Sequence, residues 1–485
     1  MSGRALVWVG LALAALAVRC YKLGSQSLWS DEGVTVHMVA RPLSELFSQV
    51  GSDVHPLLYY SVLHFWARLS LSEFWLRLPS ALASWGTILV VVALIRRVSG
   101  HRVGLWTLAL LSFSQFHILY AQEARAHAML GLVASLSWAL LWLWKEERGG
   151  LRVRLGWLGL ALAMPHIHYL GFLVLGSQNL LMLLHRRYSG GRLQWLGWQL
   201  AALGAQLPWM LWVLPRQVGF ARAAGYVSSP LSLESWFRSL YDWLFSHDFQ
   251  RPGYDLLSFA PGAWGLCIVA LALALVGTPK APAGAWLWCW WLAPIAQTLA
   301  LNALGIDLSG SKYFLYATLP MFVLLASGLD RLARWRSPWG TSLAAALMLG
   351  WLAANLTSWR NYHFHPAFGN QNWRLAGQFL RNNAAPDDLI IVQPLMMNAV
   401  LLYYLGPFPN FVGVNDPAQL QPPLQQQHYG RIWVCSVPSY QQPSVSNFLP
   451  GWVRQGQWPT QKHFPAQNLV IEAFVPATTR PPNAP

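Results

Sequence analysis

Residues 103–148 read VGLWTLALLSFSQFHILYAQEARAHAMLGLVASLSWALLWLWKEER, and their charge spacing decides the fold. An apolar run over 103–120 meets a short polar break, Ala121-Gln122-Glu123-Ala124-Arg125, before a second apolar run over 126–144. Lys145, Glu146, Glu147 and Arg148 then close the segment. A helix needs about 20 mostly apolar residues to cross a bilayer. Both runs approach that length, and their charges gather at the ends rather than the middle. The stretch reads as a transmembrane hairpin with charged groups on both membrane faces.

The same alternation extends through the chain. Of 485 residues, 55% are hydrophobic, 11% are charged and 29 are Trp. A soluble domain carries about a quarter charged residues. This composition excludes a disordered, nucleic-acid-wrapping or ordinary cytosolic protein. The net charge of +15 falls in short clusters between apolar runs, so no nucleic-acid partner is expected. Cys20, Cys267, Cys289 and Cys435 show no metal spacing, and two lie inside apolar runs, which argues against a disulfide framework.

Eleven spans are expected: 4–20, 77–96, 103–120, 126–144, 154–165, 169–185, 193–214, 262–278, 285–303, 313–329 and 339–357. Pro165 marks the turn between the short fifth and sixth. The first run also fits a signal peptide, because Arg4 precedes it; it is read as a retained span. Lys and Arg set the orientation. With the N-terminus in the cytoplasm, the inner loops hold Arg96, Arg97, Arg102, Lys145, Arg148, Arg152, Arg154, Arg186, Arg187, Arg192, Lys280, Arg331, Arg334 and Arg336, opposed by Glu146, Glu147 and Asp330.

Three stretches remain outside. In the first, 21–76, the Leu57–Leu71 run reads as a helix lying on the membrane. The second, Arg216–Phe259, also looks interfacial. The third follows Ser358, where Asn372–Asn383 reads as a helix and Leu389–Val392, Arg431–Val434 and Leu469–Phe474 read as strands. The expected class is an all-α polytopic membrane protein, residues 1–357, with a small extracytoplasmic α/β domain over 358–485.

Five motifs on the outer face carry the chemistry. Asp31 and Glu32 in Trp29-Ser30-Asp31-Glu32-Gly33 offer a general base and a neighbour that tunes it. A compatible structural reading makes Ser30 or Asp31 a helix N-cap. Glu123 and His127 are four apart, on one face if helical, with Arg125 between. Asp53-Val54-His55-Pro56 fits a helix starting at Pro56. His166 and His168, beside Tyr169, form an H-x-H pair, as do His363 and His365; hydrogen-bonded imidazoles account for them better than a metal does. Lys312 and Tyr313 enter the tenth span, where they can hold a phosphate or anchor the helix at the interface.

These strings, in this order, resemble the GT-C membrane glycosyltransferases, specifically the protein O-mannosyltransferase-like branch (glycosyltransferase family 39) and the bacterial aminoarabinose transferases. The matching stretches are LWSDEG, DVHPLLYYSVLHFWARL, SEFWLRLPSALAS, HILYAQEARAHAMLGL, PHIHY and SKYFLYATLP, with NWRLAGQFLRNNAAPDDLIIVQP in the tail. The resemblance implies the GT-C fold, with about eleven transmembrane helices, membrane-parallel helices in the first outer loop and a polyprenyl-phosphate sugar donor. It makes Asp31 the base and Glu32 its partner, with Glu123 and Arg125 in the second outer motif. Arg77, His55, His168, Tyr169, Lys312 and Tyr313 become substrate-binding residues. Lys312-Tyr313 stands where relatives often have Arg-Tyr, which keeps the charge but loses the bidentate fork.

The expected activity is a hexosyl or pentosyl transferase of the bacterial inner membrane. It would move one sugar to an acceptor hydroxyl of a lipid, glycan or protein, with inversion and with no required cofactor, a divalent metal being optional. The alternatives are a transporter or flippase of lipid-linked sugars and a catalytically silent binding subunit. A transporter would place ionisable residues at mid-membrane, where the sequence has almost none.

Overall fold

A computed structural model describes residues 3–184, 191–223, 233–246, 261–306, 310–335, 337–365, 368–420, 424, 428–437, 445, 449, 451–459 and 469–477. The first half folds as α1 (Gly3–Cys20), α2 (Ser30–Val39), α3 (Leu43–Ser48), α4 (Leu57–Ala67), α5 (Glu73–Val98), α6 (His101–Phe113), α7 (Gln115–Ala121), α8 (His127–Lys145), α9 (Gly150–Ile167) and α10 (Gly171–Leu184). The second half adds α11 (Arg192–Trp212), α12 (Leu214–Ala223), α13 (Leu233–Phe245), α14 (Pro261–Gly277), α15 (Ala283–Ala303), α16 (Leu315–Ala333), α17 (Trp339–Phe364), α18 (Trp373–Asn383) and α19 (Asn398–Leu405).

Each of the eleven apolar stretches is mostly helical where described, the 103–120 stretch being broken at Ser114. Among the described residues, Glu73–Val98, His127–Lys145, Ser311–Ala333 and Trp339–Phe364 are individually long and apolar enough to cross a membrane, and the bent α6–α7 pair makes a fifth. The ends differ from expectation in two places. Pro165 lies inside α9, so the turn to α10 falls at residues 168–170. Helix α17 continues to Phe364. Of the Arg216–Phe259 stretch, residues 224–232 and 247–259 lie outside the described residues; the end of α12 and the whole of α13 are the helices seen in the rest.

The bend between α6 and α7 is 58° and sits at Ser114, whose backbone is extended. Breaking a helix at membrane depth frees backbone groups that need new partners. Arg19, fully buried, supplies them: its guanidinium donates to the Leu111 and Ser112 carbonyls at 2.9 and 3.1 Å, and to Ser84 Oγ at 2.9 Å. The Gln115 N–H donates to Asn355 Oδ1 at 2.8 Å. The bend delivers the polar turn 122–126 to the head of α8.

Helix α16 is the central post. Up to Leu329 it carries no charged residue and is almost wholly buried, as expected for a helix packed on every side. Its Gly328 lets α14 approach closely, since a Cβ there would lie 2.2 Å from the Leu273 carbonyl oxygen.

The tail forms a five-stranded sheet in the order β2-β1-β3-β5-β4, from β1 (Leu389–Gln393), β2 (Phe411–Gly413), β3 (Ile432–Ser436), β4 (Trp452–Pro459) and β5 (Val470–Pro476). β1 runs parallel to β2 and β3, while β5 is antiparallel to β3 and β4. The expected helix and three strands are present. β2, β4 and α19 are additions that the sequence reading missed. Strand β1 is buried along its whole length, which explains its unbroken apolar run. Leu389 and Ile391 face a small core of the tail. Ile390 and Val392 join the large core that continues into the membrane helices.

Candidate active site

The site is built on the first turn of α2. Trp29, extended, precedes the helix, and Glu32 reaches back so that Oε2 accepts the Trp29 N–H at 3.3 Å. The N-cap is therefore Trp29, not Ser30 or Asp31. The Asp31 carboxylate is left for other partners.

The adjacent carboxylates have different surroundings. Glu32 is completely buried, and Arg77 grips it through Nε at 2.8 Å and NH2 at 2.6 Å. The Ala124 N–H adds a third bond at 2.8 Å. The remaining Arg77 donors go to the Leu23, Gln26 and Ser27 carbonyls, which uses all five guanidinium hydrogens. Arg77 is 2% exposed and has no donor left for a ligand. It ties the first outer loop to α5, and Glu32 ties that loop to the 122–126 turn.

Asp31 keeps 22% of its side chain exposed and faces cations. Its Oδ2 lies 3.4 Å from Lys312 Nζ and 3.8 Å from an Arg125 nitrogen. Burial alone would raise its pKa, but Arg125, Lys312 and His55 together outweigh burial and hold the carboxyl below its usual range. Lys312 also sits 5.3 Å over the Trp29 ring.

Arg125 is the hub. It donates to the Asp31 carbonyl at 3.1 Å and to Thr35 Oγ1 at 3.2 Å, and its other arm lies 2.7 Å from His55 Nε2. His55 Nδ1 in turn meets Asp53 Oδ1 at 3.3 Å. This chain links the loop before α4 to the head of α2.

Glu123 lies in the turn before α8, not on one helix with His127. The residue as a whole is half-buried, yet its Oε2 is fully enclosed with no hydrogen-bond partner among the described residues. Burial, then the nearby Glu32 charge, pushes its pKa up to about 8.

His168 stacks into the same pocket, its ring 5.2 Å from His127, 6.0 Å from His55 and 6.3 Å from Tyr313. Tyr169 faces away: its hydroxyl donates to Gln217 Oε1 and accepts from Trp209 Nε1. Gln217 donates onward to the His55 carbonyl at 2.9 Å, so Tyr169 braces the His55 loop from behind. His166 packs on Trp209, and His363 on Trp359 and Tyr21. Among the described residues, no three His, Cys, Asp or Glu side chains converge to hold a metal ion.

Asp31, Glu123, Arg125, His55, His168, Lys312 and Tyr313 thus gather in one region, while Glu32, Arg77 and Tyr169 form its scaffold. Sequence reading missed Thr35 and Gln217 as partners, and the tail's share. Tyr404 of α19 accepts the Leu28 N–H at 2.8 Å and donates to Glu73 at 2.9 Å. Arg374 of α18 also holds Glu73, at 2.7 Å. Gly33, two residues beyond Asp31, touches α19: a Cβ there would lie 2.5 Å from Val400 Cβ and 2.6 Å from its backbone nitrogen.

Comparison with known protein families and with curated proteins finds no match. Solved structures do match. ArnT from Cupriavidus metallidurans in the apo state aligns over 99% of this chain and 100% of its own, with a TM-score of 0.61 at 14% identity. It has also been solved bound to undecaprenyl phosphate, with a TM-score of 0.57. The Archaeoglobus fulgidus oligosaccharyltransferase AglB, in complex with an inhibitory peptide and a dolichol-phosphate, aligns over 88% of this chain and 69% of its own, with a TM-score of 0.54 at 11% identity. The mycobacterial arabinofuranosyltransferase AftD aligns over 98% of this chain and 42% of its own, with a TM-score of 0.53 at 15% identity. From end to end, this chain has the GT-C fold shared by ArnT, AglB and AftD.

Proposed function

We propose that the chain transfers a single sugar from a polyprenyl-phosphate donor to an acceptor hydroxyl, with inversion, on the membrane face that carries Asp31. The observation that supports this most is the contrast between the paired carboxylates. Glu32 is consumed by Arg77, whereas Asp31 is partly exposed and held ionised between Lys312 and Arg125. The polyprenyl phosphates bound by ArnT and AglB supply the donor class.

In this reading Asp31 accepts the proton of the acceptor hydroxyl while its oxygen attacks the anomeric carbon. The bond from that carbon to the phosphate oxygen breaks, and the electron pair leaves with the polyprenyl phosphate. Lys312 and Arg125 stabilise the charge on the departing phosphate. A docked phosphate also draws both cations away from Asp31, which raises its basicity when the hydroxyl arrives. Glu123, protonated at neutral pH, is a neutral donor toward the sugar or phosphate. No step is routed through a metal. A bacterial inner membrane completes the proposal, and the Lys and Arg distribution supports an orientation with the N-terminus cytoplasmic and the tail domain outside.

The test is a transfer assay on purified protein with a panel of labelled polyprenyl-phosphate monosaccharides. Release of free polyprenyl phosphate with sugar on an acceptor is expected. Tight donor binding with no turnover on any acceptor would instead indicate a carrier or binding subunit.

A further inference from the structure

A second polar cavity lies at the other end of the bundle. Its volume is about 500 Å³, and Trp144, Lys145, Glu147, Arg148, Arg154 and Trp195 are among its walls. Helix α8 leaves His127 at the candidate active site and ends at Lys145, a rise of roughly 27 Å at 1.5 Å per residue. Helix α9 begins beside the cavity and returns to His168. That distance approaches the thickness of a bilayer core, about 30 Å. The cavity therefore sits at headgroup depth in the leaflet opposite Asp31.

Among the described residues, three cations and one anion, Glu147, line it. Arg148 shares part of its charge with Glu146 at 3.5 Å, and Glu146 is also held by Arg97. Lys145 lies 4.0 Å over the Trp142 ring. Arg154 is the group without an account: its Nε is enclosed, with no hydrogen-bond partner among the described residues. A buried donor left unmade is costly, and an anion in the cavity would satisfy it. Its guanidinium lies 5.6 Å over the Trp144 ring. That ring is itself fixed by Trp157, Trp195 and Trp198, with centroids 5.8, 5.3 and 6.2 Å away.

Exposed leucines, which a free anion would not need, adjoin the lining residues Gly150, Arg154, Gln194 and Trp195 in the chain. Leu151 and Leu155 on α9 are 60% and 52% exposed, and Leu193 and Leu196 on α11 are 86% and 52% exposed. They offer an acyl-chain bed beside a cationic, aromatic pocket.

We propose that this cavity binds the phosphodiester headgroup of an anionic phospholipid, with Arg154 as its principal contact. A basic pocket between helix ends is a recurrent way to hold such a headgroup. Lipid there would fix the α8–α9 turn at one end of helices whose other ends carry His127 and His168. The proposal rests on the chain's placement in a membrane and is independent of the transfer reaction.

The experiment is native mass spectrometry of the delipidated full-length protein, titrated with phosphatidylglycerol, with phosphatidylcholine and with inorganic phosphate. The wild type should retain one phosphatidylglycerol at least about tenfold more tightly than phosphatidylcholine. R154Q should lose about tenfold of that, the loss expected for one charge-assisted contact. R154K, which keeps the charge without the fork, should fall between them. R381Q, the same charge change on α18, should bind like the wild type. Wild-type retention by both Arg154 variants would overturn the proposal. Displacement of the lipid by millimolar inorganic phosphate would also overturn it and mark a free-oxyanion site.

Discussion

Arg77 and Glu32 meet through two hydrogen bonds of 2.8 and 2.6 Å, with 2% and 0% of their side chains exposed. The pair joins α5 to the head of α2 and, through Ala124, to the turn that carries Glu123 and Arg125. Removing one partner strands a buried charge, which costs about 3–5 kcal/mol. R77M should therefore lower thermal stability sharply, and E32Q/R77M should recover part of the loss. Equal melting temperatures for R77M and the wild type would contradict the scaffold role.

Gly33 tests whether the tail positions the site. G33A would push a methyl into the Val400 backbone, which cannot swing aside, so α2 must shift away from α19. Overpacking of this kind costs about 1–3 kcal/mol. Turnover should fall with the shift of Asp31, while Y404F, which removes the hydroxyl bonds to Leu28 and Glu73, should have a milder effect. Thermal melts and donor turnover measured together check this; wild-type values for G33A would refute it.

Glu123 gives a pH signature. Its folded pKa, about 8, lies above the value of about 4.3 for a free Glu. Between those values the folded state binds more protons than the unfolded state, so this group's contribution to stability falls as pH rises. E123Q should remove that slope. Melting temperatures from pH 5 to 8 should decline more steeply for the wild type than for E123Q, and parallel curves would sink the assignment.

Lys312 is expected to meet the donor phosphate. K312Q should slow turnover by about 10²-fold, the scale for losing one preorganised donor, and weaken donor binding. K312R should keep most of both. Kinetics with the donor varied separate the two effects.

Much of this was legible in the sequence because membrane helices must be long, apolar and charged at their ends. The hairpin at 103–144, the Pro56 helix start and the 372–383 helix follow from such local rules. The turn after α9 was misplaced because Pro165 is tolerated within that helix. Asp31 and Glu32 could not be told apart by spacing, since their difference depends on Arg77, forty-five residues away in the chain. The tail's grip on α2 was invisible for the same reason: Tyr404 and Val400 carry no local signature of a contact with Leu28 or Gly33. Strand β4 lacks the apolar run that marked β1.

The central claim is that Asp31 is the base, and D31N tests it most directly. Asn keeps the shape of the side chain and removes both the charge and the proton acceptor. Donor binding and transfer should be measured on the same preparation. Donor binding within a few-fold of the wild type, with transfer reduced by at least about 10²-fold, is the predicted result. Near-normal transfer by D31N would contradict it.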